Sequence, residues 1–151
     1  AAPPAYDGDR VAFCDSISAS ARTIAKRHGI QHELLMGLIR VESHFNPSAI
    51  SRAGAVGLTQ VMPNTAAGNQ CGNLKDPIEN MDCGSRVLAK FLRKYDGNLL
   101  YGLSAYNGGY RIANKANKHA KLPRNERYVE KILMAKGRFI RGGCALLIKE
   151  F

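Results

Sequence analysis

Residues 31–47 read QHELLMGLIRVESHFNP, and in them Leu34, Leu35, Leu38, Ile39, Val41 and Phe45 recur mostly at three- and four-residue steps. That is the period of a helix with one face turned to a core. It predicts a helix over 31–45, stopped by Asn46-Pro47 because the residue before a proline avoids the helical region. Glu42 shares the apolar face, with Leu35, Leu38, Ile39 and Phe45 at i−7, i−4, i−3 and i+3. Apolar surroundings disfavour an ionised carboxyl and raise its pKa. A carboxylic acid still protonated near neutral pH suits protonation of a leaving oxygen. The same placement also suits a boundary glutamate paired with an arginine or lysine, and the pattern does not choose between them.

On either side of this segment the chain stays helical. Val11, Cys14, Ile17, Ala21, Ile24 and Ala25 mark a helix from Arg10 to a glycine stop at Gly29. Residues 46–57 read as loop, followed by a short helical stretch from Leu58 that breaks at Pro63 and another turn at 65–67. Asp76-Pro77 offers an N-cap and a proline at the first helical position, starting a helix that runs to about Tyr95. Asn98 caps a helix over 99–106, ended by Gly108-Gly109. A basic segment, 110–121, reads as partly helical. Pro123 opens the last helix, with Tyr128, Val129, Ile132 and Leu133 on its stripe. Alternating strand patterns are missing. The reading is one all-α domain of about seven or eight helices over 10–142, with 1–9 and 143–151 as terminal extensions.

The net charge of +10 is uneven: residues 1–110 carry 11 basic against 9 acidic side chains, residues 111–151 carry 11 against 3. Such asymmetry attracts polyanions without choosing among them, and a solvated surface is the plainer alternative. Nucleic acid is disfavoured because only Tyr110 offers a stacking ring near 111–121. No apolar run reaches the length of a membrane helix, so no stable membrane insertion is expected. Cys14, Cys71, Cys83 and Cys144 lack metal-type spacing. Two disulfides in an oxidising compartment are expected, with Cys71–Cys83 and Cys14–Cys144 favoured among three connectivities. His32-Glu33-Leu34-Leu35-Met36 mimics a zinc-protease motif, but Met36 stands where its second histidine is required, so no metal is assigned.

The run 42–47 (ESHFNP), then 54–66 (GAVGLTQVMPNTA), Ala105–Gly109 (AYNGG) and Tyr128-Val129 resembles, in order and spacing, the soluble-type catalytic domain of lytic transglycosylases. The resemblance spans roughly residues 30–135. It implies a goose-lysozyme-like fold with a substrate cleft and a bacterial enzyme of the cell wall. It gives Glu42 the acid/base role. Ser51 falls near the reacting sugar, Gly57 and Gln60 shape the cleft, and Met62 and Thr65 face the substrate. Tyr106 and Asn107 line sugar subsites, and Tyr128 holds the carboxyl. From residue type alone, Met62 and Tyr106 also suit plain core packing. Thr59 replaces the more usual methionine, a change expected to alter a sugar contact. Where relatives have Glu-Thr-Arg-x-Tyr, this chain reads Arg124-Asn125-Glu126-Arg127-Tyr128, so a peptide-stem contact there is not carried over.

The implied reaction uses one carboxyl. Glu42 protonates the oxygen of the MurNAc-GlcNAc β-1,4 bond, with assistance from the MurNAc acetamido group. It then takes the proton of the C6 hydroxyl as that oxygen attacks C1. The product is a 1,6-anhydro-MurNAc end, and neither cofactor nor metal takes part. The alternatives are a lysozyme-type hydrolase, with Asp76, Asp82 or Asp96 as the second carboxylate, and a noncatalytic cationic wall-binding module. Small stand-alone members of the family imply secretion or conjugation machinery as partners. The expected location is the periplasm or outside the cell, after loss of a signal peptide.

Overall fold

The computed structural model describes residues 5–150. Seven helices follow in order: α1 (Arg10–His28), α2 (His32–Ser43), α3 (Pro63–Gly68), α4 (Pro77–Lys94), α5 (Leu99–Gly108), α6 (Tyr110–Lys118) and α7 (Glu126–Ile148). Among the described residues there are no strands, only two isolated bridges, Ile50 with Val56 and Val56 with Val61. The expected all-α class and helix number hold. No helix is long and apolar enough to cross a membrane.

Helix α2 runs through the centre, with Leu34 to Ile39 all buried. It packs along α7 at backbone contact, because a Cβ on Gly37 would sit 2.9 Å from the Ile132 carbonyl oxygen and the Lys136 nitrogen. The α7 stripe that meets it is Val129, Ile132 and Ala135. Leu133, expected on that stripe, is 39% exposed. Both disulfides form as expected: Cys14–Cys144 ties α1 to the end of α7 across 130 residues, and Cys71–Cys83 staples a loop to α4. The core extends past Gly142, since Cys144 and Leu147 are buried in it.

Several boundaries differ from the sequence reading, each for a local reason. Helix α2 stops at Ser43, because His44 and Phe45 take φ of 51° and 62°, a region most side chains avoid. The Asn46 side chain then accepts from the Ser48 N–H (3.0 Å), closing a local turn that competes with the helix. Phe45, expected at the helix end, leaves the helix but stays fully buried. The stretch from Leu58 is a turn, because Gly57 and Gln60 have φ of 77° and 53°. Pro63 starts α3 at its first position instead of breaking a helix. Pro123 precedes α7 by a turn, with the Glu126 N–H on its carbonyl (3.0 Å).

Candidate active site

Glu42 occupies the last turn of α2, where its carboxyl faces two tyrosines from other helices. The Tyr128 hydroxyl of α7 donates to Glu42 Oε2 at 2.6 Å. Burial pushes the Glu42 carboxyl up to about 7, outweighing the Tyr128 hydrogen bond that lowers it. Among the described residues no cation pairs with Glu42; the ion pairs all fall on Asp82. The boundary-glutamate reading therefore does not describe this residue. Tyr106 on α5 donates its hydroxyl to the Thr59 carbonyl at 2.7 Å. Burial and the nearby Glu42 charge raise both tyrosine pKa values, so both hydroxyls stay protonated as donors.

The turn at 57–60 forms the adjacent wall and is held from three sides. Ser43 on α2 donates to the Leu58 carbonyl (2.8 Å), and Tyr106 reaches in from α5. Asn80 on α4 supplies four further bonds. Its Oδ1 accepts from the Thr59 N–H (2.9 Å) and the Thr59 hydroxyl (2.6 Å), while Nδ2 donates to the carbonyls of Val56 and Leu74 (both 2.9 Å). Asn80 is wholly buried and spends its full hydrogen-bonding capacity. Gly57 must lack a side chain here, since a Cβ would fall on the Asn80 amide.

The expected site residues separate by what they touch. Glu42, Tyr106 and Tyr128 converge with the Gly57–Gln60 turn. Gln60 turns its Nε2 to the carbonyls of Ala49 (3.0 Å) and Gly57 (2.9 Å), so it shapes the wall through the backbone. Ser51 is exposed, and its hydroxyl accepts from the Ala55 N–H (2.9 Å), closing its own loop. Met62, 39% exposed, N-caps α3, and Thr65 is half-buried within it. Asn107 is exposed at the end of α5. Thr59 is wholly buried between Asn80 and Gly84, so the side chain standing in place of methionine is absorbed in the core.

Two contributors escaped the sequence reading. Asn80 carries no local signal beyond its place in the first turn after Asp76-Pro77. Asn125 binds Asn107 and Ser104, and its one signal is that it stands where relatives have threonine. Of the three aspartates weighed as a second carboxylate, Asp82 is bound to Arg27, His28 and Arg86. Asp76 stands at the N-cap position of α4 without a capping bond from its side chain, and Asp96 lies in the α4–α5 turn. Among the described residues only burial and the Tyr128 hydrogen bond shift Glu42. Concavities of about 520 and 560 Å³ lie elsewhere, the first beside His28 and Leu92, the second beside Arg40 and Met134.

A family model described as the transglycosylase SLT domain matches residues 19–129. A membrane-bound lytic murein transglycosylase C of Haemophilus ducreyi is 39% identical over 106 residues, covering 58% of this chain and 29% of the relative. The chain thus spans about three tenths of the length of that curated relative. Among solved structures, the lytic transglycosylase Slt of Pseudomonas aeruginosa superposes with a TM-score of 0.71 at 21% identity, covering 87% of this chain and 25% of that one. The 70-kDa soluble lytic transglycosylase of Escherichia coli gives 0.66 at 24%, covering 85% and 25%. At such identities these two show the fold alone.

Proposed function

This chain belongs to the transglycosylase SLT domain family, and from that premise we propose that it is a peptidoglycan lytic transglycosylase with Glu42 as its catalytic residue. The observation that carries the reading is one partly buried carboxyl, raised to about 7, with a tyrosine hydroxyl at 2.6 Å and no second carboxylate perturbing it. Such a group holds its proton long enough to give it to the MurNAc-GlcNAc bridging oxygen. Having become ionised, it accepts the C6 hydroxyl proton as that oxygen closes on C1. Tyr128 steadies the carboxylate between the two steps through a charge-assisted bond. A carboxyl near 7 is suited to both donation and acceptance at neutral pH.

Digestion of purified peptidoglycan tests this directly. The expected products are muropeptides ending in 1,6-anhydro-MurNAc, each one water lighter than a hydrolytic product. Reducing ends would overturn the lytic chemistry and favour a lysozyme-type hydrolase. Ser51, Gly57, Gln60, Met62, Thr65, Tyr106 and Asn107 make up the proposed sugar-facing surroundings, with Gln60, Gly57 and Ser51 acting through the loop they build. The basic segment after residue 110 concentrates the enzyme on the anionic wall, in a periplasmic or extracellular setting alongside secretion or conjugation machinery. Reversing Lys115, Lys118 and Lys121 together should weaken wall binding most at low salt, as a pull-down across a salt series would show.

A further inference from the structure

An amide side chain looks nearly the same both ways round, so its orientation is decided by its neighbours. At the start of α7 one neighbour leaves no choice. The backbone carbonyl of Ser104 can only accept, and it lies 2.9 Å from the Asn125 amide. The Asn125 end facing it is therefore Nδ2. The opposite end, Oδ1, takes the Ser104 hydroxyl at 2.6 Å. The second Nδ2 proton points to Asn107 at 3.0 Å, so the Asn107 atom receiving it is Oδ1. Nδ2 of Asn107, with two donor protons, is left facing outward from an exposed side chain with no partner among the described residues. Gly108 makes the arrangement possible, since a Cβ there would come within 3.0 Å of Asn125 Nδ2.

Ser104 is wholly buried, so the chain of orientations starts from a fixed point. Its middle member lies close in sequence to the site: the Tyr128 N–H rests on the Asn125 carbonyl at 3.1 Å. Tyr128 in turn holds Glu42. We propose that Asn125 is a positioning residue that locks the Asn107 amide with its N–H groups toward the cleft, making Asn107 a donor to a carbonyl oxygen of the bound glycan. The inference rests on the glycan-cleaving reading above. Two sugar substituents present such an oxygen: the acetamido group, and the lactyl group through which the peptide is attached. A threonine at position 125, as in the resembling pattern, has one hydroxyl proton and cannot donate to both the Ser104 carbonyl and Asn107 as the Asn125 amide does.

A double-mutant cycle tests it, with thermal melting to confirm folding. The probes are N-acetylglucosamine tetramer, its deacetylated counterpart, and purified peptidoglycan strands. N125A, N107A and the double variant should each raise the dissociation constant or KM by the same factor, about three- to tenfold for one lost neutral hydrogen bond. The falling pH limb set by Glu42 should stay where it is. N107D keeps the bond from Asn125 but replaces the outward donors with an oxygen, so it should weaken binding equally with little loss of melting temperature. If the factor appears with the acetylated tetramer and not the deacetylated one, the acetamido carbonyl is the acceptor. If it appears only with peptidoglycan strands, the acceptor is the lactyl carbonyl. Effects of N125A and N107A that multiply, or an N125A variant with unchanged binding and KM, would overturn this proposal alone. A wild-type protein that binds none of the three probes would overturn it together with the glycan reading.

Discussion

Glu42 and Asp82 are both partly buried carboxylates on helices, and they are set to opposite states. Asp82, in the seam between α1 and α4, is met by Arg27 at 2.8 Å, His28 at 2.7 Å and Arg86 at 3.0 Å. Burial alone would raise its pKa, but hydrogen bonds from His28 and Arg27 and the surrounding positive charge hold it below the ordinary value. Glu42 is buried more deeply and meets no cation among the described residues, and one hydroxyl only partly offsets its desolvation. Deeper burial and the lack of a cation act together to keep Glu42 available as an acid, while shallower burial among cations keeps Asp82 ionised. Asp82 braces two helices; Glu42 is left protonatable near pH 7.

Neutralising each carboxyl as its amide is the strongest way to break this contrast. E42Q should cost at least about 10²–10⁴-fold in turnover of purified wall, since one group serves both proton transfers. D82N should leave turnover within a few-fold. Comparable losses from both would erase the distinction.

Y128F removes the hydroxyl that favours the ionised Glu42. The falling limb of the pH profile should move above its wild-type position near 7, while turnover at neutral pH drops by roughly 10–100-fold, the scale of a hydrogen bond to a charge. A limb that moves down instead would mean that the tyrosine does not stabilise the carboxylate.

Stability should respond to the two sites with opposite signs. Glu42 has a folded pKa raised above its unfolded value, so the folded state binds the extra proton between about 4.5 and 7. Its contribution to stability falls as pH rises through that window. E42Q should therefore be more stable than wild type above pH 7, by about 2 kcal/mol, in denaturant unfolding at pH 8. Equal stability at pH 8 would show that the carboxyl is not strained by burial.

Asp82 has a lowered pKa, so its contribution is present above the unfolded carboxyl range and is lost as pH falls through the folded value. D82N should destabilise at neutral pH by no more than about 1 kcal/mol, because two of its three partners, Arg27 and Arg86, are more than a third exposed and so screened by solvent. Added salt should shrink that loss further.

Legibility varied with how local the determining physics was. Helix α1 could be read end to end, because Asp9 accepts the Ala12 N–H and Gly29 takes the left-handed stop within a few residues of the pattern they bound. Asn98 capping α5 through the Tyr101 N–H was legible for the same reason. The end of α2 was not, since the termination is made by His44 and Phe45, whose residue types do not announce left-handed backbone. His28 offered no sign of a partner until α4 brought Asp82 to it across 54 residues.

By itself the sequence determined the all-α class, most helix positions, the disulfide pairing that was favoured, and Glu42 as the carboxyl to watch. These follow from periodicity, caps, cysteine spacing and a motif in four ordered pieces, all written along the chain. The resemblance already pointed Tyr128 at Glu42, and the structure gives that contact its bond across 86 residues; tertiary structure alone decided that Thr59 turns into the core against Asn80. It likewise set Asn125 over Asn107. A hydrogen bond needs two partners within about 3 Å, and when they are distant in sequence only helix packing sets that separation.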